Sequence, residues 1–399
     1  MAKNNSDFFK EKKVWSEIKD SLLGCYLKPY MQKIISTRRP ILYIDCFAGK
    51  GRFDDGKPGS PVIALDIING CLQNTSIGNP IVKTCFIELN HADDLEKNIS
   101  KYKNATVISG KYEDNIELQL RNKVSHNVFL YIDPYGIKAL QFNLFEKLAN
   151  MDLNSFELLI NMNSFGFIRE ACHALNIKFD IDVSDEIIEY EPTILQASKN
   201  AVQDLNNIAG GDYWISIINE YKQNKIDGYE AEIKFSEEYC KRLMQVFNYV
   251  LNMPIRLKRG QRPKYRMIHA TNHQEGCILM NDNICKRWEA LQDVQSCGQL
   301  SMFSEDIENN IFDKEEIRKD LIESLRFNNE FVNLNKFLAE FVSRLGVRCC
   351  TSEIKEQLKI LEREKKIEVK RCPPKTPKGK ISAFWDCKGG NIVDIRGYL

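Results

Sequence analysis

Between residues 41 and 162 the chain repeats one pattern: a short apolar run, a turn, then a segment long enough for a helix. The runs are 41–46, 83–89, 105–109, 128–133 and 158–162. Strands joined by helix-length connections cannot pair through tight hairpins. The pattern therefore predicts a parallel sheet with helices on both faces. Upstream, Trp15, Ile18, Leu22, Leu23, Tyr26, Met31, Ile34 and Ile35 recur at helical spacing over 8–36, and Pro29 is expected to break that helix. Downstream, a helical region at about 168–250 leads to two strand-like runs, 253–257 and 265–270, expected to form a terminal hairpin.

The 399 residues are enough for two domains. The pattern dissolves into polar residues after 291, so the expected division is 1–291, a linker at 292–312, and 313–399. The last part reads as helices at 313–327, 333–345 and 352–366, then strands at 367–371 and 380–386 with a basic loop between them. That order suggests a winged helix-turn-helix. With 56 Lys+Arg against 55 Asp+Glu, bulk charge neither favours nor excludes nucleic acid. No apolar run reaches the roughly 18 residues that span a bilayer, and no apolar signal segment follows Met1. Thirteen cysteines without a Cys-x-x-Cys suit reduced thiols, a cytoplasmic location and no metal site.

Ligands of open α/β sheets bind outside the carboxyl ends of the strands, and four such ends carry suitable groups. Asp45 ends the first run and is followed by Phe47, Gly49 and Gly51 in a tight turn. Ser60 and Pro61 then look like the N-cap and first residue of a helix. Glu88 ends the second run and could take both hydroxyls of a ribose. Asp114, with Glu113 as a rival, follows the third and could meet an adenine amino group. Asp133-Pro134-Tyr135-Gly136 ends the fourth. An acid beside a proline and an aromatic ring suits an exocyclic amine held in line with a methyl sulfonium. An ordinary turn would use the same residues. A final antiparallel strand is the arrangement of class I methyltransferases, whereas dehydrogenase sheets usually stay parallel and carry a third glycine. The expected cofactor is therefore S-adenosylmethionine.

At these residues the chain resembles the three-Cys-motif partner family. The resemblance rests on Asp45-Cys-Phe-Ala-Gly-Lys-Gly-Arg-Phe53, Gly56-Lys-Pro-Gly-Ser-Pro-Val-Ile-Ala-Leu65, Phe86-Ile-Glu88, Asp133-Pro-Tyr-Gly136 and His269-Ala-Thr-Asn-His273. Gln274 stands where the family pattern expects proline, and Tyr135 where phenylalanine is commoner. The resemblance implies a Rossmann-like methyltransferase fold, an attached winged helix and a partner protein with three cysteines. A motif like Asp133–Gly136 in tRNA guanine dimethyltransferases favours a nucleobase amine.

Other candidates carry less. His269 and His273 could share a metal, but an ordinary strand end is the simpler reading. His269, Asn272 and Arg169 could line the cleft. Arg259, Arg262 and Lys264 in the hairpin, and Lys375 and Lys378 in the wing, suit a phosphate backbone. A charged, aggregation-resistant edge would look the same. Gln299 to Phe303 resembles a peptide that docks on the replication sliding clamp. The alternative to an enzyme is a non-catalytic adapter that binds the donor, DNA or a partner.

Overall fold

The computed structural model describes residues 9–179, 201–255, 265–296, 313–326, 330–387 and 389–398. The chain divides into two compact units, Met1–Asn272 and His273–Leu399. The first opens with α1 (Val14–Ile35), which runs through Pro29 without a break. A proline inside a helix costs about 3 kcal/mol. Tyr26, Leu27, Tyr30 and Met31 around it are all buried, and each contributes about 1.5–3 kcal/mol. Burial wins, so the expected break does not occur.

The sheet is then built in chain order: β1 (Ile41–Asp45), α2 (Ser60–Gln73), β2 (Val82–Glu88), α3 (Ala92–Ile99), β3 (Ala105–Ser109), α4 (Tyr112–Leu120), β4 (Asn127–Ile132), α5 (Phe142–Ala149), β5 (Ser155–Met162) and α6 (Ser164–Ala174). Three helices, α7 (Ala201–Ala209), α8 (Trp214–Lys222) and α9 (Gly228–Leu243), precede the hairpin of β6 (Tyr249–Ile255) and β7 (Tyr265–Thr271). The strand order is β3-β2-β1-β4-β5-β7-β6. Only β7 runs against the rest. This is the Rossmann-like sheet with a terminal antiparallel strand that the sequence predicts.

Strand parity divides the residues between two faces. Leu42, Ile44, Cys85, Ile87, Val128, Leu130, Ile132, Leu158, Ile160 and Ile268 join one core with residues of α4, α5, α6 and α9. The alternate residues form an aromatic layer on the α1 face: Tyr43 stacks on Phe129 at 5.8 Å, and Tyr26 and Tyr30 of α1 both meet Phe129.

The second unit comprises α10 (Gln274–Ser296), α11 (Lys314–Arg326), β8 (Val332–Asn333), α12 (Leu334–Leu345), α13 (Thr351–Arg363), β9 (Ile367–Cys372) and β10 (Ile392–Gly397). Its sheet has the order β8-β10-β9. Residues 380–386, expected to be a strand, make only a bridge between Ile381 and Lys375. The strand that pairs with β9 lies further on, at β10. α10, expected with the first domain, belongs to this unit. Asn281 donates to the Cys349 carbonyl, and Asp282 takes both the amide and the hydroxyl of Thr351.

Candidate functional site

The register decides which acids share a face. Asp45 pairs with Phe86 of β2 and with Tyr131 of β4, so Glu88 and Asp133 follow two residues beyond its partners on the same side. Tyr131 pairs with Leu159, and Leu159 with His269, which adds Asn161 of β5 and Tyr265 of β7. Asp45, Glu88, Asp133, Asn161 and Tyr265 thus line the α1 face near the carboxyl edge of the parallel strands.

Asp45 is fully buried. One oxygen accepts from the Phe47 amide at 3.1 Å, the other from the Ser60 hydroxyl at 2.7 Å. Ser60 is therefore the first residue of α2 and Gly59 its cap, contrary to the expected N-cap. The carboxyl, buried, ties the turn to the start of the helix. Gly49 and Gly51 both have positive φ, +60° and +77°. The space a Cβ would take is filled from within: the Phe9 ring lies 3.1 Å from it at Gly49, and Leu95 2.9 Å from it at Gly51. The glycines make room for side chains of the protein, where the sequence suggested room for a ligand.

Glu88 is half-buried. Its Oε2 accepts from the Gly49 amide at 2.8 Å, and its Oε1 from the Asn90 and His91 amides at 2.9 and 3.1 Å. Nearby, the buried His91 Nε2 has no partner among the described residues. Phe47 packs on Tyr112 at 5.2 Å. Asp114 is exposed and Glu113 half-buried, both in the first turn of α4.

At Asp133 the structure shows what the sequence missed. Lys19 of α1 places Nζ 2.9 and 2.7 Å from its two oxygens, and Asn161 Nδ2 donates to Oδ1 at 2.7 Å. Lys12 pairs with the neighbouring Asp20 at 2.5 Å. No spacing signal linked Lys19 to a strand end more than a hundred residues away; only the helical face it shares with Tyr26 could have hinted at it. Tyr135, next to Pro134, is 44% exposed.

Two candidates, His269 and Asn272, move away from the edge. Because β7 is antiparallel, its Thr271 end pairs with Glu157, near the start of β5. His269 is buried below the edge, 3.0 Å from Glu157, which also accepts from the Tyr26 hydroxyl. Asn272 lies at the opposite edge, where its side-chain oxygen accepts from the Asn248 amide. No group of three or more metal-ligating side chains occurs among the described residues. Arg169 is half-buried on α6, and its Nε has no hydrogen-bond partner among the described residues. Lys375 and Lys378 are exposed. Arg259, Arg262, Lys264 and Gln299–Phe303 lie outside the described residues. Among those described, no helix is long and apolar enough to cross a membrane.

Burial pushes the Asp45 carboxyl up to about 7, against the hydrogen bonds from Ser60 and Phe47 that lower it. Burial likewise raises Asp20 to about 6, against the opposing pull of Lys12. An acid raised in the folded state holds its proton more tightly there than in the unfolded chain. Stability from these groups is full below about pH 4 and declines as pH rises towards about 7. In Asp45→Asn the decline between pH 5 and 8, measured by urea unfolding, becomes shallower. An unchanged decline would remove Asp45 as its source.

No family model and no curated protein matches the chain. Solved structures that align with the chain include the CurJ carbon methyltransferase, at 10% identity over 67% of this chain and 57% of that one, TM-score 0.34. The DszA carbon methyltransferase aligns at 11% identity over 58% and 47%, TM-score 0.30. A geranyl diphosphate methyltransferase in complex with GPP and sinefungin aligns at 9% over 61% and 78%, TM-score 0.25. The chain spans about half the length of the two carbon methyltransferases, and similarity this distant speaks to neither activity nor substrate.

Proposed function

We propose that the protein is an S-adenosylmethionine-dependent methyltransferase acting on an exocyclic amine of a nucleobase in DNA or RNA. The observation that carries this reading is the row Glu88, Asp133 and Asn161 on one face, at the ends of β2, β4 and β5, beside a left-handed glycine turn. The residues fit an adenosyl donor in part. Glu88 keeps one lone pair, on Oε2, beyond its three backbone bonds, enough to take a ribose hydroxyl, and His91, whose amide it holds, has no hydrogen-bond partner for Nε2 among the described residues. Asp45 supports the turn from inside. Phe47 and Asp114 would flank the adenine. The donor supplies an electrophilic methyl group; Asp133, Pro134 and Tyr135 hold the acceptor in line with it.

The finer identification follows the sequence resemblance: a three-Cys-motif partner protein whose second unit is a winged helix. Lys375 and Lys378 would meet nucleic acid, a three-cysteine protein would be the partner, and Gln299–Phe303 would offer a clamp-binding peptide.

One observation favours the second reading, an adapter without catalysis. Phe9 covers Gly49 and Lys19 engages Asp133, so the chain's own groups occupy part of the edge. Calorimetry with sinefungin, then transfer of a tritiated methyl group to bulk tRNA, plasmid and the partner protein, separates the two. Asp133→Ala should bind sinefungin like the parent yet transfer at least about 100-fold more slowly. Transfer at the parental rate would remove Asp133 from the reaction.

A further inference from the structure

At the acceptor end of the edge, Lys19 comes to Asp133 because α1 runs antiparallel to β5. Tyr26 reaches Glu157, and Lys19 lies two turns earlier on the helix, roughly 10 Å away along its axis. From Glu157 to Asn161 the strand rises roughly 13 Å, and both residues point to the α1 face. The helix therefore delivers an ammonium to Asp133 and Asn161 together.

Two features of this cluster bear on what can dock there. The charge of Asp133 already has a counter-ion, a lysine side chain 4% exposed whose Nζ also lies 5.5 Å from the Tyr265 ring. Asn161 is 2% exposed. Its amide nitrogen donates to Asp133, and its buried Oδ1 has no donor among the described residues. A buried carbonyl oxygen without a donor is a place for an N–H.

We infer, resting on the methyltransferase reading, that Lys19 and Asn161 are specificity-determining residues of the acceptor pocket: they admit a neutral amine and turn away a cationic one. A protonated alkylamine, such as a lysine side chain, needs an uncompensated anion. Here it meets a carboxylate already paired and a second ammonium beside it. A neutral planar amine brings two hydrogens, one for Asn161 Oδ1 and one for Asp133 Oδ2, where it would take the place of the long 3.5 Å bond from the Tyr131 hydroxyl. Its nitrogen lone pair forms the new N–C bond as the S–C bond of the donor breaks and that pair returns to sulfur. The nitrogen, now cationic, loses its proton to water at the mouth of the pocket, where Tyr135 is exposed.

The test compares tritiated-methyl transfer to bulk tRNA or denatured plasmid with transfer to poly-L-lysine, alongside sinefungin calorimetry. The parent labels nucleic acid and not poly-L-lysine. Asn161→Leu keeps sinefungin affinity within about threefold and labels nucleic acid about 100-fold more slowly. Lys19→Met labels nucleic acid at least about tenfold more slowly and gains on poly-L-lysine, whereas Lys19→Arg stays near the parent. Parental rates in both Lys19→Met and Asn161→Leu, or a parent that prefers poly-L-lysine, overturn the inference. A parent that binds no sinefungin overturns the methyltransferase reading instead. A melting experiment decides the Lys19 half whatever the transfer assay gives. Ethylammonium chloride, relative to sodium chloride, should raise the melting temperature of Lys19→Ala and leave the parent unmoved. No difference between the two proteins means that Lys19 does not fill a cation site at Asp133.

Discussion

Replacing Glu88 by alanine lowers affinity for sinefungin by at least about tenfold while the protein stays folded by circular dichroism. The one lone pair left on the carboxylate would take a ribose hydroxyl, and a hydrogen bond to a charged group contributes about 1.5–3 kcal/mol. That amounts to about one to two powers of ten in affinity at about 1.4 kcal/mol per tenfold. Glu88 also holds the Gly49, Asn90 and His91 amides, so the substitution loosens the turn that faces the ligand. Glu88→Gln separates the two roles. It preserves acceptance at one oxygen and places an amide hydrogen at the other, so affinity falls less than in Glu88→Ala. Glu88→Ala with parental affinity would mean that the end of β2 does not hold the donor.

The largest expected loss of stability lies beside Asn161. Arg266 of β7 pairs with Met162 of β5, and its Nε and one terminal nitrogen each reach a Glu232 oxygen at 2.8 Å. Glu232 also accepts from the Ser164 hydroxyl. Glu232 and Arg266 are 1% and 8% exposed. Glu232→Ala leaves a buried guanidinium unpaired and should cost about 3–5 kcal/mol. The double variant Glu232→Ala/Arg266→Met should recover much of it, because two apolar side chains leave no stranded charge. Urea unfolding checks both. A single variant that unfolds with the parent would show that the pair contributes nothing net.

The sheet was legible because its signal is local and repeated: five apolar runs at crossover spacing, each within a few residues of the strand that forms. Asp45, Glu88 and Asp133 could be grouped from sequence because every parallel strand ends at the same edge. His269 and Asn272 were misplaced for the converse reason. Residues after an antiparallel strand exit on the far side, so a motif that follows a strand in sequence need not follow it into the cleft. Pro29 misled because a local rule was weighed without the burial of Tyr26 and Met31. Lys19 and Asn161 were invisible for a third reason. Neither sits in a motif, and their meeting depends on how α1 crosses the sheet. The boundary near 291 followed composition, but Asn281 and Asp282 bind α10 to Cys349 and Thr351, a pairing no composition shift records.

A crystallographic map of the protein grown with S-adenosylhomocysteine would test the central claim most directly. The account predicts density across the carboxyl edge of β1, β2 and β4, with a ribose hydroxyl on Glu88, the sulfur directed towards Asp133, and Phe9 displaced wherever it meets the ligand. Density elsewhere on the chain, or an edge still filled by Phe9 with Glu88 bonded only to its own backbone, would contradict it.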